Sequence, residues 1–231
     1  MTARYAIYYA PAPESPLWSF GSGVLGYDAA SGVSAPVIAP DGIAPAEWAV
    51  MTAAPRRYGF HATLKAPFHL RDGVTEDDLV AAGRAFAATR AAFALPELEL
   101  TRLGAFVALQ PKERSSGLDD LASACVEAFE PFRAAPDADE RARRLETPLT
   151  ERQQSSLARW GYPYVFEDFH FHMTLAGPVA DGVAPLVTKG LTRLYADHVA
   201  FATIRVEAVS LFVEDAPGRG FRIVDRFVFA G

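Results

Sequence analysis

One octapeptide occurs twice in this chain. Phe60-His61-Ala62-Thr63-Leu64-Lys65-Ala66-Pro67 recurs as Phe171-His172-Met173-Thr174-Leu175-Ala176-Gly177-Pro178, with five of the eight positions identical. Two bare His-x-Thr pairs would carry little weight in a chain with five histidines, but the matching Phe, Leu and Pro make the repetition specific. Side chains alternate faces along a strand. His61 therefore points with Thr63 and His172 with Thr174, while Phe60, Leu64, Phe171 and Leu175 turn toward a core. Two such strands brought together would place two imidazoles and two hydroxyls on one cleft. Phosphodiester cleavage can use that set. One histidine takes a proton from the attacking oxygen, the other protonates the leaving oxygen, and both titrate near neutrality. The hydroxyls donate to the non-bridging oxygens on which charge develops. Acid, base and oxyanion donors then all come from side chains, and the chemistry calls for no metal and no cofactor.

Other residues near the repeat are weighed against their plainer readings. Arg56, Arg57 and Lys65 form a basic group that would ordinarily be a solvated strand end. Lys65 shares the parity of His61 and Thr63, however, and is expected to contact a phosphate; Arg57 shares it too. Tyr58 would face away unless the strand bulges, and is kept as a third substrate-binding candidate. His170 shares a face with His172, so it either lines the cleft or forms a metal-binding His-x-His pair, although no Glu-x-x-His or cysteine cluster accompanies it. His69 and His198 read as satisfied structural histidines, and Cys125 as a core residue on an apolar helix face. Trp18, Tyr162 and Tyr164 read as packing residues that could also stack on a base or sugar.

Composition limits what these residues can serve. The chain has 231 residues, of which 50% are hydrophobic and 22% charged, which excludes a disordered tail protein. That length is enough for one large domain, and we expect a single bilobal domain over residues 1–231. The net charge of −6 argues against long nucleic acid, which calls for a basic groove. The one cysteine cannot form an intrachain disulfide, which fits a reducing compartment. No apolar run approaches the ~20 residues of a membrane span, and Tyr5-Ala-Ile-Tyr-Tyr9 reads as a strand rather than a secretory leader. A cytoplasmic protein with no obligate protein partner is expected.

The elements that must position the histidines follow from local patterns. Strands are expected over 4–10, 57–64, 97–109, 163–175, 201–214 and 220–229, and helices over 45–51, 75–95, 117–132, 147–161 and 182–197, with a short helix or turn over 17–26 inside a long, partly packed loop. Thr75 is a helix cap ahead of three acids, and Thr147-Pro148 reads as a helix start closed by Gly161. Residues 133–146 are charged and rich in Pro and Ala. Strands and helices mix without regular crossovers, so the fold class is α+β with mainly antiparallel sheet. Each copy of the repeat is followed by a turn, a helix and an alternating strand, which implies two pseudosymmetric lobes with a cleft between them.

With its paired His-x-Thr motifs the chain resembles the 2H phosphoesterase superfamily, whose LigT-like fold consists of two such lobes with helices outside. The strings Arg56-Arg-Tyr-Gly-Phe-His-Ala-Thr-Leu-Lys-Ala-Pro-Phe68 and Trp160-Gly-Tyr-Pro-Tyr164 are similar to a branch of bacterial proteins often encoded beside phosphonate-degradation genes. The resemblance covers nearly the whole chain and implies cyclic or 2′,5′-type phosphodiester chemistry, with His61, Thr63, His172 and Thr174 at the motif positions. It does not transfer a substrate. Within the chemistry the resemblance implies, a small phosphorylated substrate, the cyclic phosphate of a nucleotide or sugar, leads. An RNA end enzyme acting on 2′,3′-cyclic termini is disfavoured by the acidic charge, and a non-catalytic nucleotide-binding module has no need of paired proton-transfer groups.

Overall fold

A computed structural model describes residues 3–135, 148–199 and 203–231 of the chain. The apolar run Tyr5–Tyr9 makes β1 (Arg4–Tyr9), and every one of its residues after Arg4 is buried. β1 is third in a seven-stranded sheet. From one edge to the other, the sheet runs β11 (Arg222–Val228), β10 (Ala208–Glu214), β1, β4 (Ala62–Phe68), β8 (Met173–Ala176), β7 (Phe106–Pro111) and β6 (Leu98–Leu103), with every neighbouring pair antiparallel. Two small two-stranded ribbons complete the strands among the described residues: β2 (Tyr27–Asp28) with β3 (Val33–Ser34), and β5 (Phe93–Ala94) with β9 (Arg205–Val206). This is the α+β, antiparallel architecture expected from the sequence.

The repeat strands β4 and β8 lie side by side at the centre, joined at Ala62 and Met173. Each is followed by a helix and then a hairpin, and each hairpin extends the other strand's half of the sheet. β4 leads through α3 (Glu76–Ala87) to β6–β7, which flanks β8, and β8 leads through α6 (Ala184–Val199) to β10–β11, beyond β1 and β4. The helices cross in the same way. α3 packs on β10 and β11, α6 on β6 and β7, α4 (Ser116–Ala128) on β4, and α2 (Pro45–Arg56) on β8 beside α1 (Pro16–Leu25). The two halves are thereby braced into one continuous sheet, with Phe60, Leu64, Phe171 and Leu175 in its core.

Caps and glycines set the boundaries. Thr75 and Asp78 close a capping box on α3, as the sequence predicts. Thr147 lies outside the described residues, as do 136–146 of the charged stretch and 201–202 of the strand expected from 201. Helix α5 (Glu151–Trp160) is instead capped by Thr150 and Gln153 in a second capping box, and it ends at left-handed Gly161. The long N-terminal loop holds α1, capped by Ser15 and closed by Gly26 at φ +65°. Residues 97–109 do not run as one strand, because Gly104 at φ +60° turns the chain back and pairs Leu98–Leu103 with Phe106–Pro111. None of 163–172 is strand either; a single 3₁₀ turn at Phe166–Asp168 precedes the short β8, which begins at Met173. Likewise β4 begins at Ala62 and not at Arg57, since α2 continues to Arg56 and Gly59 turns at φ +73°.

Candidate active site

The register of the central pair interleaves the two motifs. With Ala62 opposite Met173, one step either way sets His61 across from Thr174 and Thr63 across from His172. Diagonal neighbours in such a pair lie roughly 7–8 Å apart, a separation that a single phosphate can bridge between two imidazoles. All four side chains line one open cleft of about 430 Å³, together with Arg4, Tyr8, Tyr58 and Tyr162. Ala62 and Met173, pointing the other way, are fully buried.

Both imidazoles are held by the same local device. His61 Nδ1 lies 2.9 Å from the Gly59 carbonyl oxygen and His172 Nδ1 2.8 Å from that of His170, each two residues upstream. A carbonyl can only accept, so Nδ1 carries the proton in both rings and Nε2 is left for chemistry. His61 Nε2 is 3.2 Å from Thr63 Oγ1, which donates to it. Burial pushes the His61 pKa down to about 4; the hydrogen bond to Gly59 opposes the shift and the nearby His172 adds to it. Burial lowers the His172 pKa as well, again opposed by its backbone hydrogen bond. Behind His61 lies the ring of Tyr8, stacked at 3.9 Å between centroids and 24° between planes. Tyr8 sits opposite Thr63 on β1, and burial holds its phenol well above the usual range.

The structure places the remaining sequence candidates unevenly. Tyr58 lines the cleft from the turn after α2, its ring stacked on Phe221. Arg57 is next to it but is bound to Glu214, through Nε at 2.9 Å and Nη2 at 2.5 Å. Lys65 faces away. β1 pairs Tyr8 with Thr63 and then Ile7 with Lys65, so Leu64 is an extra residue on β4, and this bulge reverses the alternation. The Lys65 ammonium is buried on the α4 side of the sheet, where it donates to the Val126 carbonyl at 3.0 Å and to Glu130 at 2.8 Å. The expected phosphate contact by Lys65 is thus corrected, and the cause is a bulge that period-two counting cannot see.

His170 lines a separate depression with Glu99, Glu113 and Asp119, so it is not a partner of His172 in the cleft. Among the described residues no group of three or more His, Cys, Asp or Glu side chains is arranged to hold a metal ion. His69 and His198 are tied to backbone carbonyls, Cys125 is buried with its thiol pKa pushed up by burial, and Trp18 packs in the core. Arg4 and Tyr8 are the polar cleft residues, beside apolar ones such as Leu103 and Phe106, that the sequence reading missed. The available signal was the alternation Arg4-x-Ala6-x-Tyr8, an arginine and a tyrosine on one face of an otherwise apolar strand.

The paired His-x-Thr motifs on adjacent central strands, sharing one cleft, define the architecture against which known proteins can be compared. The chain belongs to the family described as "Protein of unknown function (DUF1045)", which matches residues 63–222. It is 37% identical over 231 residues to "Ribose 1,5-bisphosphate phosphokinase PhnN" of Janthinobacterium sp. (strain Marseille), covering 99% of this chain and 51% of that protein. It is 39% identical over 220 residues to the protein of the same name from Laribacter hongkongensis (strain HLHK9), covering 95% of this chain and 50% of that protein. The chain thus spans about half the length of the curated relatives it matches. Among solved structures it is similar to E. coli LigT complexed with 3′-AMP (TM-score 0.44, 13% identity, 100% of both chains) and to a phosphoesterase (TM-score 0.42, 15% identity, 100% of both chains).

Proposed function

We propose that this chain is a 2H-type phosphodiesterase that opens the cyclic phosphodiester of a small sugar or nucleotide phosphate by histidine acid–base catalysis. The observation that carries the reading is the interleaved register, which sets His61 beside Thr174 and Thr63 beside His172 with both Nε2 atoms free of the backbone. His61, held neutral by burial, is the base. Its Nε2 takes a proton from water while the water oxygen bonds to phosphorus. The bond from phosphorus to one ring oxygen breaks, and protonated His172 gives its Nε2 proton to that oxygen. The products are a phosphate monoester and a free hydroxyl, and solvent returns the proton from His61 to His172. On substrate binding the Thr63 hydroxyl turns from His61 to a non-bridging oxygen, with Thr174 donating from the other strand. No step draws on a metal or cofactor.

The relatives' name concerns ribose 1,5-bisphosphate, which favours a sugar phosphate as substrate, and a place in phosphonate metabolism rests on the resemblance of the strings at 56–68 and 160–164. The kinase activity in that name is not carried over, since the chain spans about half the length of those relatives. The test is turnover of adenosine 2′,3′-cyclic phosphate and of ribose cyclic phosphates by the purified chain, with and without EDTA. Turnover should survive chelation. Folded protein inert toward every cyclic phosphate, or activity lost on chelation and restored by zinc or iron, would refute the proposal.

A further inference from the structure

A charged cluster that reaches the cleft through Arg4, with Arg57 joined to it behind Tyr58 and through Glu214, is not used by the acid–base chemistry. Arg4 is the only charged residue of β1, and its cross-strand partner on β10 is Glu214, whose side chain has no exposure to solvent. Arg4 donates to Glu214 Oε2 through Nε at 2.8 Å and Nη2 at 2.5 Å. Arg57 does the same to Oε1, which also accepts the Gly218 N–H at 3.0 Å. Burial alone would raise the Glu214 pKa, but these donors hold it below the usual range, so the carboxylate is charged. One guanidinium would neutralise it. Two leave the cluster with a net positive charge in a chain of net charge −6.

The geometry of the forks leaves capacity for a ligand. Each guanidinium uses one edge on a single carboxylate oxygen, and neither Nη1 makes a hydrogen bond among the described residues. Glu214 and the aromatic surroundings (Phe221 beneath Arg4, Tyr58 beneath Arg57) fix both planes. Arg4 lines the same cleft as the two histidines. It also shares a face of β1 with Tyr8, the residue stacked on His61, four positions or about 13 Å further along the strand. An arginine side chain and one sugar ring together bridge that distance.

We propose that Arg4 and Arg57, oriented by Glu214, form a second anion subsite, and that the substrate is a cyclic phosphodiester carrying a terminal phosphate monoester. A monoester bears close to two negative charges and presents the oxygen geometry that guanidinium groups match. The substrate class rests on the phosphodiesterase reading; the subsite itself does not. The competing account is a purely structural cross-link between β1 and β10, which stabilises the sheet without affecting substrate preference.

Two measurements separate them. The first is the ratio of kcat/KM for adenosine 2′,3′-cyclic phosphate with and without a 5′-phosphate. It should exceed about tenfold in the natural chain and fall by about 10- to 100-fold in Arg57→Gln and Arg4→Gln, the range of one charge-assisted hydrogen bond. The second is calorimetry with ribose 5-phosphate against ribose, which needs no turnover. Ribose 5-phosphate alone should bind, and at least about tenfold more weakly in folded Arg57→Gln. A ratio near one in the natural chain, or a ratio and a ribose 5-phosphate affinity unmoved in a variant that still folds, overturns the subsite. If ribose 5-phosphate binds through the arginines but neither cyclic probe is turned over, the catalytic reading fails and the subsite stands.

Discussion

If burial holds His61 neutral, the stability of the fold should depend on pH in a window set by that one ring. The unfolded chain takes up a proton near pH 6.5, whereas folded His61 resists it until about pH 4. Between those values the unfolded state binds the extra proton, so stability is whole above about pH 6.5 and is lost as pH falls toward 4. At about 1.4 kcal/mol per unit, a shift of this size is worth at most about 3.5 kcal/mol; the ring faces an open cleft, and solvent screening lowers the expected range to about 1–3 kcal/mol. The perturbation is His61→Asn, whose amide can still donate to the Gly59 carbonyl but does not titrate. Urea unfolding of both proteins should be followed from about pH 7 to about pH 4.5. Carboxylates whose pKa values are lowered in the fold, including Glu130, Asp168 and Glu214, titrate in both proteins and cancel in the difference. The natural chain should lose the calculated amount relative to the variant as the medium acidifies. A difference that stays flat across the window means that His61 is solvated and protonates normally, and the neutral-base assignment falls with it. In the natural chain the same shifts place the acidic limb of kcat/KM near pH 4 and the basic limb, which reports protonated His172, below the ordinary histidine value.

Other substitutions probe the remaining parts of the arrangement. His61→Ala and His172→Ala should each lower kcat by at least ~10²-fold, while Thr63→Val and Thr174→Val should cost no more than about 3 kcal/mol of transition-state stabilisation; near-normal turnover in either folded histidine variant would show that the pair does not act as base and acid. Lys65→Met leaves Glu130 with only Arg133, and a loss of about 1–3 kcal/mol in denaturant unfolding is expected, with kcat/KM unaltered because the ammonium faces α4. A tenfold rise in KM instead would place Lys65 at the substrate. A Cβ on Gly21 would sit 2.2 Å from the Phe60 ring, so Gly21→Ala should destabilise by about 1–3 kcal/mol through overpacking beneath the His61 strand, read as a lower Tm; an unchanged Tm would mean that α1 can lift away freely.

Local chemistry alone made a good part of this molecule legible. The duplicated octapeptide named its four cleft residues, because a strand enforces period two over the three residues of a His-x-Thr motif whatever surrounds it. Thr75 followed by three acids was enough to define the start of α3, and Gly161 the end of α5, since caps depend on groups within one helical turn. The reach of such reasoning is short, however. Period two failed for Lys65 only two residues past Thr63, where the pairing with β1 forces Leu64 into a bulge, and a bulge depends on the partner strand. Strand parity favours Arg57 and turns Tyr58 away, yet it applies to neither, because α2 and the Gly59 turn occupy that stretch, and Tyr58 is the one that lines the cleft.

Long-range pairing decided the rest. The sequence by itself determined that two strands each carry a histidine and a threonine on one side, because that follows from bond geometry along a single strand. Only the tertiary structure decided that these strands are neighbours, at Ala62 and Met173, so that each histidine faces the other motif's threonine. It alone placed Tyr8 against His61, and it alone gathered Arg4, Arg57 and Glu214, the first and last of which are 210 residues apart in the chain. Which strand lies beside which is set by how the apolar faces of all seven strands and their helices are buried together, a collective free energy that no local pattern encodes.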